Sequence, residues 1–177
     1  MKMTIIGAGS TYSPELAGGL VQNKADLPVD ELALMDIDSE RLEVVGGFIK
    51  RQLAAGGCRT RVVLEPDLTR AVAEADFVVT QIRVGGNRAR HEDIRLGLEH
   101  GVIGQETVGV GGWAKAMRTI PAILKICRAI EEAAPNAWLI NFTNPSGIVT
   151  EAILKHGRVR AIGLCNVPIG LQMEFAK

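Results

Sequence analysis

Cys165 and Asn166 stand side by side in IGLCNVPIG, after the apolar run Ala161 to Leu164 and just before Pro168. A thiolate is a good ligand for a soft or borderline divalent metal, while a carboxamide can orient or polarise an oxygen without titrating. A lone cysteine in apolar surroundings is more often a small buried hydrophobe. The pair is therefore either packing or one edge of a site, and other residues must decide. Gly7, Gly9, Ser10 and Thr11 follow the first apolar run, and Asp36 closes the second. A first glycine there makes a tight turn, and a second lets backbone approach a pyrophosphate resting on the positive end of the next helix. An acid at the end of the second strand accepts hydrogen bonds from ribose hydroxyls, which favours NAD over NADP. The third glycine of that fingerprint is missing, because Tyr12 stands in its place.

Arg83, Arg88, Arg90, Asp93, Gln105, Glu106 and Thr107 lie in a polar, glycine-rich tract from Arg83 to Gly112. Arginine suits an anionic substrate, since its planar fork grips a phosphate through two parallel hydrogen bonds. The competing reading is a solvated loop whose arginines pair with Glu92 and Asp93. In NFTNPSG, Asn141 and Asn144 flank a strand exit, where Asn144 serves equally as a ligand contact or as the N-cap of a helix with Pro145 at its first position. His91, His100 and His156 show no HxxxH or HExxH spacing and read as surface residues.

The elements that must carry these residues follow from periodicity. MTIIG reads as a strand, Pro14 to Gln22 as a helix, and ELALMDID as a second strand. Ser39 is the expected N-cap of a helix through about Leu53. RTRVVLE and ADFVVTQIRVGG read as third and fourth strands, NAWLINFTNP as the fifth, SGIVTEAILKHG as a helix and VRAIGLC as the sixth strand. The tract between Arg83 and Gly112 reads as a long irregular connection of the kind that is functional or disordered. Trp113 to Ala133 has helical spacing that Pro121 should bend or divide. Strands alternating with helices predict an α/β, Rossmann-like doubly wound, mostly parallel sheet with helices on both faces.

The 177 residues suffice for one domain, and 20 basic against 20 acidic residues leave no formal net charge. No charge run favours nucleic acid or an anionic membrane. Three cysteines without CxxC spacing fit a reducing, cytoplasmic setting. MKMTIIGAGS is too short an apolar patch for a signal peptide, and no stretch is apolar enough to span a bilayer. The sequence stops at LQMEFAK inside an expected helix. The sequence therefore reads as cut.

GAGSTYSPEL, LMDID, QIRVGG, GVIGQETVGVGG, RTIPAIL, NFTNPSGIVTEA and GLCNVPIG together resemble the NAD- and divalent-metal-dependent glycosidases of glycoside hydrolase family 4, and among them the 6-phospho-β-glucosidases. The resemblance implies hydride abstraction from C3 of the sugar by NAD, loss of the C2 proton to a base, elimination at C1, water addition and re-reduction. It also implies a divalent metal, manganese above all, acting as a Lewis acid on the C2 and C3 oxygens. Cys165 matches the metal-binding cysteine. Asn166 matches a catalytic position that is aspartate in α-specific members, so asparagine implies a β-linked substrate. Arg90 and Asn144 match substrate contacts, Glu106 an acid that tunes the base, and Arg83 is a substrate or cofactor contact by location. The resemblance puts the family's tyrosine base and metal-binding histidine beyond Lys177, so residues 1–177 are expected to be the NAD-binding domain of a longer enzyme, with little or no hydrolase activity alone. Homo-oligomerisation of the full-length protein is also implied. A lactate/malate-type NAD-dependent dehydrogenase and a non-catalytic NAD-binding module are the alternatives.

Overall fold

In the computed structural model, which describes residues 1–176, the first apolar run forms the middle of the sheet. β1 (Lys2–Ile6) pairs in parallel with β2 (Glu31–Met35) on one side and with β4 (Phe77–Thr80) on the other. β3 (Arg61–Leu64) adds outside β2, while β5 (Trp138–Asn141) and β6 (Arg160–Gly163) add outside β4. Among the described residues the order is β3-β2-β1-β4-β5-β6, all parallel. The chain reverses its direction of travel across the sheet between β1 and β4, so a crevice opens at the carboxyl ends of those two strands.

Alternating side chains divide the core. Ile5, Leu32, Leu34 and Val79 face α1 (Ser13–Gln22) and α2 (Ser39–Ala55), where Leu20, Ile49 and Leu53 complete one cluster. Ile6, Val78 and Leu139 face α3 (Leu68–Val72), α5 (Gly109–Ala133) and α6 (Ser146–His156), with Val72, Ile123, Ile130 and Ile153 as the second. Each fully buried aliphatic side chain stabilises the fold by about 1.5–3 kcal/mol. The expected doubly wound fold with helices on both faces is thus present. No helix among the described residues is long and apolar enough to cross a membrane.

Several expectations need correction. The tract from Arg83 to Gly112 is not an irregular connection: α4 (Gly86–Glu99) occupies its centre, and α5 begins within its last turn. Gly85 and Gly86 take φ of +81° and +63° and turn the chain out of β4. The helix that follows buries only Asp93 and Gly97, so it has no apolar stripe to read. Arg95 instead links its turns through Glu92 and Glu99. The fourth strand ends at Thr80 instead of continuing through QIRVGG, because the Ile82 N–H leaves the ladder and donates to Thr143 Oγ1 at 3.0 Å.

Pro121 does not divide α5. It lies on an exposed face together with Met117, whose carbonyl loses an intrahelical donor where water can replace it. Asp38, not Ser39, caps α2, its Oδ1 accepting the Arg41 N–H at 3.0 Å from an extended backbone. Asn144 is not the N-cap of α6 either, since Pro145 takes that place in extended conformation and the helix starts at Ser146. α7 (Asn166–Phe175) follows β6 as expected, with Cys165 in the cap position, and none of its residues is buried.

Candidate active site

The turn after β1 is built by contacts that admit no larger side chain. Gly7 has φ +86°, and a Cβ there would lie 2.9 Å from the Gln81 carbonyl oxygen. The Gly7 and Ala8 N–H groups both donate to the Met35 carbonyl at 2.9 Å, which ties the turn to the end of β2. A Cβ on Gly9 would lie 2.9 Å from Asp36 Oδ2, the atom that accepts the Gly9 N–H at 2.8 Å. Arg41 Nε donates to the Gly9 carbonyl at 3.0 Å, so side chains at the end of β2 and the start of α2 hold both polar groups of this glycine.

Asp36 Oδ1 accepts the Asp38 N–H at 3.0 Å. An ionised carboxylate has about four acceptor positions, so these two bonds leave room for ribose hydroxyls. Ser10 Oγ accepts the Tyr12 N–H at 3.2 Å, and Thr11 is exposed beside it. Tyr12 stands in place of the third glycine, half-buried, with its ring 6.3 Å from that of Phe142 at the exit of β5. Two glycines with no room for a Cβ, an acid with spare acceptors and the N-terminus of α1 form a cradle that fits a dinucleotide.

Gln81 connects this turn to the next part of the site. It donates to the Gly7 carbonyl at 3.3 Å, and two residues later Arg83 enters a cluster of charges. There, Glu106 Oε2 lies 2.9 Å from Arg83 Nη1, 2.6 Å from Arg90 Nε and 3.4 Å from Lys115 Nζ. Burial pushes the Glu106 carboxyl up, but the hydrogen bond from Arg83 and the charges of Lys115, Arg83 and Arg90 together hold it below its ordinary value. Burial pulls the Lys115 ammonium down; Glu106 opposes this, and Arg83 and Arg90 add to it. Three cations against one carboxylate leave an excess of positive charge suited to an anion. The arginines do not pair with Asp93, because that buried carboxylate is taken by Arg118 in a bidentate bridge of 3.1 and 2.6 Å.

Lys115 and Arg118 were not apparent as site residues in the sequence. One signal was available: Gly111, Gly112, Lys115, Ala116 and Thr119 share the buried face of α5, so helical spacing puts a lysine where an apolar residue belongs. Asn141 is buried in a network of its own, accepting from Thr80 Oγ1 at 3.1 Å and donating to Thr150 Oγ1 at 3.0 Å, which sets the exit of β5. Asn144 is half-buried three residues beyond it. The histidines at 91, 100 and 156 are exposed, as expected.

Cys165 and Asn166 are exposed at the carboxyl end of β6, two strands and about 10 Å of sheet beyond β4. Cys127, by contrast, is buried, and burial reinforced by Glu131 pushes its thiol up to about 11. Among the described residues no three His, Cys, Asp or Glu side chains are grouped to hold a metal. The described residues, Cys165 included, therefore do not form a metal site by themselves.

A family model described as family 4 glycosyl hydrolase matches residues 2–177. A probable 6-phospho-beta-glucosidase of Bacillus subtilis (strain 168) is 50% identical over the whole of this chain, which covers 41% of that relative. The 6-phospho-beta-glucosidase of Escherichia coli (strain K12) is 46% identical over 98% of this chain and 39% of its own length. The chain thus spans about two fifths of these curated relatives. The Thermotoga maritima 6-phospho-beta glucosidase structure containing manganese, NAD+ and glucose-6-phosphate superposes with a TM-score of 0.93 at 39% identity, over 99% of this chain and 43% of that one.

Proposed function

The chain belongs to the family 4 glycosyl hydrolases, and we propose that residues 1–177 are the NAD-binding domain of a longer 6-phospho-β-glucosidase. The observation that carries the reading is the Gly7–Gly9–Asp36 cradle after β1 and β2 together with the cationic cluster on Glu106, which Arg83 enters three residues after the end of β4. When bound, NAD would supply reversible hydride transfer at C3 of the sugar, which acidifies the C2 proton and lets the C1 substituent leave before water adds.

The residues of the chain contribute position and charge. Gly7 and Gly9 admit the pyrophosphate, Ser10 and Thr11 line its approach, and Asp36 takes the ribose hydroxyls. Arg83 and Arg90, both exposed, grip an anionic substrate, with Asn144 placed to orient the sugar. Glu106 remains ionised and disposes its charge toward the base. Asn166 has no proton to lose or give near neutral pH, which supports a β-linked substrate and a polarising role. Cys165 would be one donor to a divalent metal of the manganese kind.

The experiment is turnover of a 6-phospho-β-glucoside by the full-length protein with NAD and Mn²⁺. Release of the aglycone that requires both supports the reading, and simple oxidation of a hydroxy acid without glycoside cleavage overturns it.

A further inference from the structure

We propose that Lys115 is a positioning residue that stays with Glu106 as its fixed counter-ion while Arg83 and Arg90 transfer to an incoming phosphomonoester. The inference rests on the phosphosugar reading above and deepens it.

Three cations crowd onto a single carboxylate oxygen, Glu106 Oε2, at 2.6, 2.9 and 3.4 Å. They are not equivalent. The Arg83 and Arg90 side chains are 36% and 45% exposed, whereas that of Lys115 is 4% exposed. Arg83 sits in the turn leaving β4 and Arg90 on the polar helix α4, and both side chains are already open to solvent. Lys115 projects from the buried face of α5, which also carries Gly111, Ala116 and Thr119, and its one ion-pair partner among the described residues is Glu106.

The charge balance points the same way. The cluster carries about two positive charges in excess, and a phosphate monoester carries about 1.5 to 2 negative charges near neutral pH. An arginine fork satisfies phosphate oxygens better than it satisfies an oxygen already shared with two other cations. Once both arginines turned to phosphate, Glu106, only 18% exposed, would face a neighbouring anion with its burial uncompensated. Lys115 supplies the compensation that remains. Asp93 on α4 and Arg118 on α5 bridge each other and so are engaged apart from Glu106. The mutual effects of the cluster are consistent with this division, because Arg83 and Arg90 depress the Lys115 ammonium and their departure would strengthen its pairing with Glu106.

The test follows the Glu106 carboxylate directly in the full chain, by carbon NMR of ¹³C-labelled glutamate. Its signal is assigned through Glu106→Gln and titrated with and without glucose 6-phosphate. In the wild-type chain the midpoint should stay below the ordinary glutamate range in both states. In Lys115→Met it should rise in the free chain, because Lys115 helps hold it down, and rise further by at least about one pH unit, a tenfold change in proton affinity, when glucose 6-phosphate is bound. Lys115→Arg should restore it. A Lys115→Met shift that is equal in both states, or absent from both, overturns the proposal.

Should Lys115→Met fail to fold, the wild-type chain decides alone. Glucose 6-phosphate should shift the Arg83 and Arg90 Nε signals and leave Glu106 ionised; unmoved arginine signals overturn the exchange. Glycoside turnover is scored separately. Lost turnover with this titration pattern intact fails the hydrolase reading only, and intact turnover with no exchange fails this one only.

Discussion

Asp36 accepts the Gly9 N–H through Oδ2 at 2.8 Å, so the residue placed to hold a ribose also holds the turn on which a pyrophosphate would lie. Its replacement therefore has two effects that should appear together. Asp36→Ala should weaken NAD binding by about tenfold to a hundredfold, the range for losing a charge-assisted hydrogen bond. Asp36→Asn, which keeps an acceptor for Gly9, should lose less. Calorimetric titration measures both, and unaltered affinity in Asp36→Ala would remove the ribose role.

Gly9→Ala places a methyl 2.9 Å from Asp36 Oδ2 and 3.0 Å from Arg41 Cβ. The two side chains must move, and the geometry that aims Asp36 is lost. The variant should keep its circular dichroism spectrum and most of its stability while losing NAD affinity to about the extent of Asp36→Ala. Wild-type affinity would show that the close approach at Gly9 has no bearing on the cofactor.

Glu106 gives a pH prediction with a definite sign. Its folded-state carboxyl is depressed below the ordinary value, so its stabilisation is present above the unfolded-state value and fades as pH falls through the depressed one. Glu106→Gln should lower the Tm at pH 7 and flatten the acid side of the Tm–pH curve below about pH 4.5. It also leaves Arg83, Arg90 and Lys115 facing one another, so its Tm should recover with added phosphate more than that of the wild-type chain. An unchanged acid limb would mean the cluster contributes nothing to stability.

Asp93 is buried, and its only charged partner among the described residues is Arg118. Asp93→Ala removes both arms of a bidentate bridge between α4 and α5 and should cost about 2 kcal/mol or more by urea unfolding. A loss below about 0.5 kcal/mol would place the pair among weak surface bridges instead.

The three cysteines should separate by reactivity. Cys165 is exposed and should be alkylated first, whereas Cys127 is buried with its thiol pushed up to about 11 and should react only on unfolding. Peptide mapping after limited iodoacetamide treatment gives the order. In the full-length protein Cys165→Ser should raise the metal concentration needed for turnover, and an unchanged requirement would make Cys165 a residue without a metal role.

What could be read from the sequence was what has a period or a fixed turn. β1, β2 and β5 are apolar runs covered on both faces, and Gly7, Gly9 and Asp36 stand at spacings set by a strand, a turn and the next strand. α4 escaped because a helix burying little more than Asp93 and Gly97 has no apolar stripe; its stability comes from Arg95 bridging to Glu92 and Glu99 and from its contact with α5. The Glu106 cluster was half visible. Arg83, Arg90 and Glu106 stood out as polar residues in one tract, but Lys115 lies in a helix whose spacing reads as core, and only folding brings it to the carboxylate. The cap of α2 was misplaced by one residue because Asp38 and Ser39 are both good capping types, and the extended backbone at Asp38 decides between them.

The measurement that bears most directly on the whole account is proton exchange during turnover. The full-length protein, given a 6-phospho-β-glucoside, NAD and Mn²⁺ in D₂O, should release glucose 6-phosphate carrying deuterium at C2, with no net reduction of NAD. Release of product with protium retained at C2, or at an undiminished rate without NAD, would contradict it.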